Sequence, residues 1–185
     1  MALPEFNENG LLPEGLHAAS DSDLRDRCVI SFATSVRRPM VFDTFVAYQQ
    51  DVAGVGVNST QVIDGSFIDQ TRTEPDDIDL ANFCDAANLN SLSPVAQASI
   101  TPLLNGRETT KAKYNAHTFL VVRFSAGHPY EAQFEQMRKY WLDWFSRPQE
   151  YSGPKKIPAP WRGRKGLVLM TVGDSKLCPV IDDTL

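Results

Sequence analysis

The chain has 185 residues, of which 42% are hydrophobic and 22% are charged. This mixture is typical of a globular domain and excludes wholesale disorder, a collagen-like repeat and a coiled coil. The formal net charge of -5 at pH 7 excludes a globally basic protein, so any nucleic-acid contact is expected to be local.

The first half of the chain predicts an extended segment followed by two helices and two strands. The first segment carries prolines and glycines among scattered leucines, the second helix has apolar residues at helical spacing, and the strands are β-prone runs between turn residues. In chain order, the elements are an arm at 1–19, a short helix from a Ser20 N-cap to about Cys28, a helix from Pro39 to about Gly54, and strands at 57–64 and 77–83.

The second half of the chain predicts further helices and two more strands. They are a helix from Ser93-Pro94 to about Leu104, a helical turn or two at 107–114, a buried strand at 116–124, a long helix at 129–146, a basic Pro/Gly-rich loop at 147–166 and a last strand at 166–172. Trp141, Trp144 and Phe145 recur at helical spacing and are expected in the core, with a partner-binding face as the alternative. The alternation of strands and helices predicts a single α/β or α+β domain over residues 1–185.

The cysteines and the N-terminus indicate the compartment. Cys28, Cys84 and Cys178 are far apart and form no Cys-x-x-Cys pair, which indicates neither a disulfide framework nor a zinc cluster. No basic segment followed by an apolar one opens the chain, and no window approaches about 18 consecutive apolar residues. We therefore expect a cytoplasmic protein without a membrane span.

Two aspartates near the start of the second predicted strand are candidate metal ligands. Side chains at positions i and i+2 of a strand point to the same face, so Asp77 and Asp79 are expected side by side. Ile78 and Leu80 then point to the other face. Adjacent carboxylates repel each other, and a hard divalent cation is the usual compensation.

Gly65 and Ser66 end the preceding strand and predict a phosphate-binding turn. A glycine lets backbone N–H groups approach an anion closely, and the serine hydroxyl adds a contact. A metal site beside a phosphate site is typical of phosphoryl or nucleotidyl transfer.

This order of features resembles the signature of the DNA polymerase beta-like nucleotidyltransferase superfamily: a strand, Gly65-Ser66, about ten residues, then Asp77 and Asp79 on the next strand. Segments 6–17, 63–67 and 75–79 together are similar to a small bacterial branch of that superfamily. The resemblance implies a mixed sheet with helices packed on it. It also implies catalytic and Mg²⁺- or Mn²⁺-binding roles for the two aspartates, and contacts from the Gly-Ser turn to a nucleoside triphosphate.

The resemblance further implies an activity and a biological setting. The activity is transfer of a nucleoside monophosphate to an acceptor hydroxyl on a protein, an RNA or an oligonucleotide. Small stand-alone members often serve in bacterial toxin–antitoxin or antiphage systems, so an effector or toxin protein is an expected partner. The alternative is a catalytically incomplete module of the same fold, an antitoxin or regulatory subunit that masks an effector.

The third carboxylate of many active members is not evident in this chain. The predicted strand at 116–124 offers no carboxylate, and its ionisable side chains are His117 and Arg123. His117 is either a core histidine or a third ligand for metal or phosphate. Other carboxylates that the fold could bring to the site are Glu131, Asp174 and Asp69.

A basic stretch near the C-terminus supplies further candidates for phosphate binding. Five cations gather within 155–165 around Trp161: Lys155, Lys156, Arg162, Arg164 and Lys165. Such a stretch is either a solvated loop or a phosphate or nucleic-acid contact in which the tryptophan stacks on a base. The candidate nucleotide-binding residues here are Lys155, Arg162, Arg164 and Lys165.

Overall fold

The computed structural model describes residues 2–152 and 155–182, and for 150–152, 155 and 156 it describes the backbone alone. Within these residues the chain forms six α-helices and seven β-strands. The helices are α1 (Asp21–Cys28), α2 (Arg37–Gly54), α3 (Ala86–Ser91), α4 (Pro94–Leu104), α5 (Glu108–Tyr114) and α6 (Glu131–Phe145). The strands are β1 (Leu16–Ala18), β2 (Ser59–Asp64), β3 (Ile78–Asp85), β4 (Ala116–Arg123), β5 (Gln149–Ser152), β6 (Lys155–Pro158) and β7 (Leu167–Val172). The predicted α+β fold class is confirmed.

Five of these strands form one mixed sheet in the order β1-β7-β2-β3-β4, and β5 and β6 form a separate hairpin. Strand β2 is antiparallel to both of its neighbours, whereas β3 and β4 run parallel, as do β1 and β7. In the part of the chain that the structure describes, no helix has both the length and the apolar character needed to cross a bilayer.

Helices cover both faces of the sheet. On one face, Ile78 and Leu80 of β3 are fully buried in a cluster that contains Phe45 and other α2 side chains. On the opposite face, Ala81 and Phe83 pack in a second cluster with α6. The predicted alternation along β3 is therefore confirmed, and the face that carries Asp79 is the one that α6 covers.

Two segments differ from the expectation. Residues 16–18, assigned to the N-terminal arm, form the edge strand β1, because their backbone pairs with β7. The segment expected as a basic loop at 147–166 contains the β5–β6 hairpin, which pairs across residues 149–158. Strand β1 forms by pairing with a strand that is distant in the sequence, and β5 and β6 form by pairing within a short hairpin. In both segments the strand pairing outweighs the local Pro/Gly content, which by itself favours a loop.

Helix α2 begins at Arg37, two residues before the expected Pro39. The carboxylate of Glu74 accepts hydrogen bonds from the backbone N–H groups of Val36 and Arg37 and from the hydroxyl of Ser35. A carboxylate at a helix N-terminus satisfies donors that have no partner within the helix. The start of α2 is thus set by a residue far along the chain.

Candidate functional site

Strand register brings three ionisable side chains into one row. Asp64 at the end of β2 lies directly opposite Asp79 of β3, and Asp79 lies opposite His117 of β4. Residues opposite each other on adjacent strands share a face, so all three point to the α6 side. Asp77 lies immediately before β3, two residues from Asp79, and extends the row.

Asp77, Asp79 and His117 form a compact group of metal-ligand types. One ligand atom from each lies within 4.8 Å of the other two. The Nδ1 atom of His117 is 3.2 Å from Oδ1 of Asp79. Protein ligands sit about 2 to 2.5 Å from a divalent ion, so donors on opposite sides are separated by about 4 to 5 Å. The donor set fits one divalent cation.

Two lysines contact the carboxylates of the row. The Nζ atom of Lys111 is 2.8 Å from Oδ2 of Asp77, and this hydrogen bond raises the pKa of the lysine. Lys165, itself buried, forms an ion pair with Asp64. Burial raises the pKa of Asp64 to about 6, although the attraction of Lys165 acts in the opposite direction. The site thus combines concentrated negative charge with nearby ammonium groups.

Gly65 is required where the backbone passes Asp79. Its φ of +91° lies in the region that favours glycine, and a Cβ there would be 2.6 Å from Oδ2 of Asp79. Ser66 follows as the first residue of a single helical turn, Ser66–Ile68. The predicted Gly-Ser turn therefore lies directly against the metal-ligand group.

A cleft of about 580 Å³ opens over this group. This volume lies within the range of small-molecule sites, about 300 to 1,000 Å³. One end is polar, with Asp79, His117, Ser66 and Lys165 in its lining. The other end is aromatic and is formed by Phe119 of β4 and residues of α6. The cleft is large enough for a nucleotide.

The basic residues that were predicted to bind the nucleotide do not all lie at the cleft. Lys165 lines the cleft, whereas Arg162 and Arg164 do not. Arg162 donates two hydrogen bonds to the buried carboxylate of Asp69, at 2.8 and 2.9 Å. Arg164 forms ion pairs with Glu14 and Asp143. The side chain of Lys155 lies outside the described residues.

Arg162 connects the segment after β6 to the loop that follows the Gly-Ser turn, so Arg162→Met should destabilise the fold. Both side chains of the Arg162–Asp69 pair are nearly buried, and loss of the arginine leaves a buried carboxylate uncompensated. We expect the free energy of unfolding to fall by about 3 kcal/mol, measured by urea denaturation. The matched control is Arg147→Met, which removes an exposed pair with Asp143. Unchanged stability together with weaker nucleotide binding would instead assign Arg162 to the phosphates.

Two arginines and one aromatic surface of the cleft were not predicted from the sequence. Arg72 and Arg107 line the cleft. Arg107 is exposed, and its guanidinium lies 5.5 Å from the ring centroid of Phe119. Trp141 and Phe145 are buried as expected, but Trp144 is 45% exposed, and all three line the cleft. In the sequence, Arg107 is visible only as the residue after Gly106 at the end of a helix, and the tryptophans only as an aromatic stripe. Neither pattern indicates which cavity the side chains will face.

Known proteins were compared with this chain by sequence and by structure. No curated protein and no solved structure matches it. The sequence model of the Family of unknown function (DUF6932) matches residues 4–169, a range that contains every residue of the cleft. Since this match covers most of the 185 residues, the chain belongs to the Family of unknown function (DUF6932).

Proposed function

We propose that this protein is a divalent-metal-dependent nucleotidyltransferase that moves a nucleoside monophosphate from a nucleoside triphosphate to an acceptor hydroxyl. The observation that carries the proposal is the Asp77, Asp79 and His117 ligand group, of which Asp79 and His117 line one cleft together with the Gly65–Ser66 turn. The sequence resemblance described above points to the same chemistry.

Each part of the polar end has a role in this reaction. Asp77, Asp79 and His117 would hold the metal ion. When bound, a divalent ion supplies positive charge to the phosphates and lowers the pKa of the acceptor hydroxyl. The Ser66 hydroxyl and the cation of Arg107 are available to phosphate oxygens at the cleft surface.

The proposed reaction needs no reactant besides the nucleoside triphosphate and the acceptor hydroxyl. The acceptor oxygen forms a bond to the α-phosphorus, and the bond from that phosphorus to the pyrophosphate oxygen breaks. The hydroxyl proton passes to solvent, and pyrophosphate leaves. Neither oxidation nor reduction occurs.

The test uses the full-length protein with Mg²⁺ or Mn²⁺, a cell lysate as the source of acceptors, and nucleoside triphosphates labelled at either the α- or the γ-phosphate. We expect label from the α-position, and not from the γ-position, to reach a macromolecule. Transfer of γ-label would identify a phosphotransferase instead. Absence of transfer and of metal-dependent nucleotide binding would overturn the proposal.

One observation favours a second candidate, the catalytically incomplete binding module. The ammonium of Lys111 already offsets the charge of Asp77, and where many active members of the resembled superfamily carry a third carboxylate on a later strand, this chain has His117 on β4. Such a module would bind an effector protein in a toxin–antitoxin or antiphage setting without transferring label. Effector binding that is insensitive to Asp79→Asn, with no transfer by the wild type, would support it.

The histidine ligand predicts which metal the proposed site prefers. Imidazole suits transition metals such as Mn²⁺ better than Mg²⁺, which prefers oxygen ligands. We expect His117→Asp to shift the ratio of Mn²⁺ to Mg²⁺ affinities toward Mg²⁺ by about tenfold, measured by isothermal titration calorimetry. His128→Asp, which makes the same change outside the cleft, serves as the control. An unchanged ratio would show that His117 is not a ligand.

A further inference from the structure

The aromatic end of the cleft is formed by five side chains, which we call the aromatic wall: Phe119, Tyr140, Trp141, Trp144 and Phe145. Trp141 and Phe145 are buried, whereas Tyr140 and Trp144 are 52% and 45% exposed. Large aromatic rings that face an open cleft expose apolar surface to water, and contiguous exposed apolar surface marks interaction or ligand-binding sites.

The aromatic wall has a rigid inner layer and an accessible outer layer. Trp141 packs against Phe119 with the ring centroids 4.2 Å apart and against Phe145 at 5.1 Å. The exposed rings of Tyr140 and Trp144 are parallel to within 9°. The indole N–H of Trp141 is buried and has no hydrogen-bond partner among the described residues. The wall therefore presents flat, supported ring surfaces.

The aromatic wall begins at the metal-ligand group. Phe119 follows His117 by two residues on β4, and their ring centroids are 4.7 Å apart. The guanidinium of Arg107 lies over the same phenylalanine and is exposed. Along the cleft, the metal-ligand group is thus followed by aromatic rings, with a cation beside the first of them. A nucleotide likewise has its phosphates at one end and its flat base at the other.

We propose that the aromatic wall binds the nucleobase of the nucleotide whose phosphates lie at Gly65 and Ser66, a subsite that rests on the proposed function. Bases stack on aromatic side chains with little dependence on sequence, because every base has a π-face. The phosphates are matched by Arg72 and Arg107 on the cleft lining. Inorganic tripolyphosphate carries the same charges and has no base, so it occupies the polar end alone.

The test compares a nucleoside triphosphate with inorganic tripolyphosphate in the presence of Mn²⁺, by isothermal titration calorimetry on the full chain. We expect the wild type to bind the best nucleoside triphosphate at least about tenfold more tightly than tripolyphosphate. In Trp144→Ala the ratio of the nucleotide affinity to the tripolyphosphate affinity should fall to less than about threefold, and Trp144→Phe should retain most of this ratio. The affinities for Mn²⁺ and for tripolyphosphate should not change, because Trp144 contacts neither ligand.

Trp161→Ala is the matched control. Trp161 is 65% exposed but does not line the cleft, so its removal should leave the advantage of the nucleotide intact. Because Trp144 is partly exposed, its truncation should not unfold the protein, and circular dichroism checks this. Equal binding of nucleotide and tripolyphosphate by the wild type, or an unchanged advantage in Trp144→Ala, would overturn the base subsite and leave the proposed function standing. Binding of neither ligand would overturn both.

Discussion

Replacement of Asp79 by asparagine should reduce α-label transfer by at least about 100-fold while the protein stays folded. Asp79 lies at the centre of the row, next to His117 and opposite Asp64, and Gly65 packs against its carboxylate. The amide has the same shape but not the charge that a divalent ion requires. Loss of metal-based stabilisation costs several kcal/mol in the transition state, which corresponds to this rate change. The measurement is transfer from α-labelled nucleotide at saturating Mn²⁺.

Asp76→Asn is the matched control for this loss. Asp76 is exposed, pairs with Arg37 and lies outside the metal-ligand group. Its amide variant should transfer label at the wild-type rate. Asp79→Asn should unfold at the same urea concentration as the wild type or at a higher one, because it relieves repulsion with Asp64. Wild-type transfer by a folded Asp79→Asn protein would remove Asp79 from the catalytic site.

Replacement of Arg38 by methionine should lower the free energy of unfolding by about 5 kcal/mol. Arg38 is fully buried, and its guanidinium donates to the backbone carbonyls of six residues. These are Cys28, Ser66, Phe67, Asp69, Arg72 and Thr73, at distances of 2.6 to 3.5 Å. The guanidinium also lies 3.6 Å from the centroid of Phe32. Methionine fills much of the volume but leaves the carbonyls without donors, and buried unsatisfied polar groups are costly.

The effect of Arg38 should extend to the site, because five of the six carbonyls belong to Ser66 and the segment directly after it. Arg38→Lys retains the charge with fewer donors and should show an intermediate loss of stability. Arg37→Met removes a surface arginine from the same turn and should cost less than about 1 kcal/mol. Urea denaturation measures all three variants. Equal losses for the Arg37 and Arg38 variants would contradict the assigned role of the buried guanidinium.

Local signals predicted the elements that local interactions stabilise. The Ser20 cap of α1 is present as a capping box with Asp23, and Ser93 caps α4 ahead of Pro94. The alternation along β3 also depends on one strand alone. The side-by-side position of Asp77 and Asp79 was therefore predictable from the sequence. These features need no distant partner, so the chain order is sufficient to recognise them.

Distant partners decide the features that local patterns did not predict. Strand β1 exists through its pairing with β7, and helix α2 starts at Arg37, where the carboxylate of Glu74 caps it. Arg162 is a candidate phosphate ligand because it lies in a basic stretch, and in the structure its side chain is bound to Asp69. Charge in a sequence indicates that a cation is present, but it does not indicate whether a carboxylate of the same chain already neutralises it.

The α+β class, the shared face of Asp77 and Asp79, and the glycine against them were predictable from the sequence, since these follow from strand periodicity and backbone sterics. The position of His117 beside the two aspartates depends instead on the register between β3 and β4. The packing of α6, which turns its aromatic residues toward the same cleft, likewise depends on the folded chain. Register and helix packing are set by contacts between segments far apart in the chain, and a local pattern does not encode them.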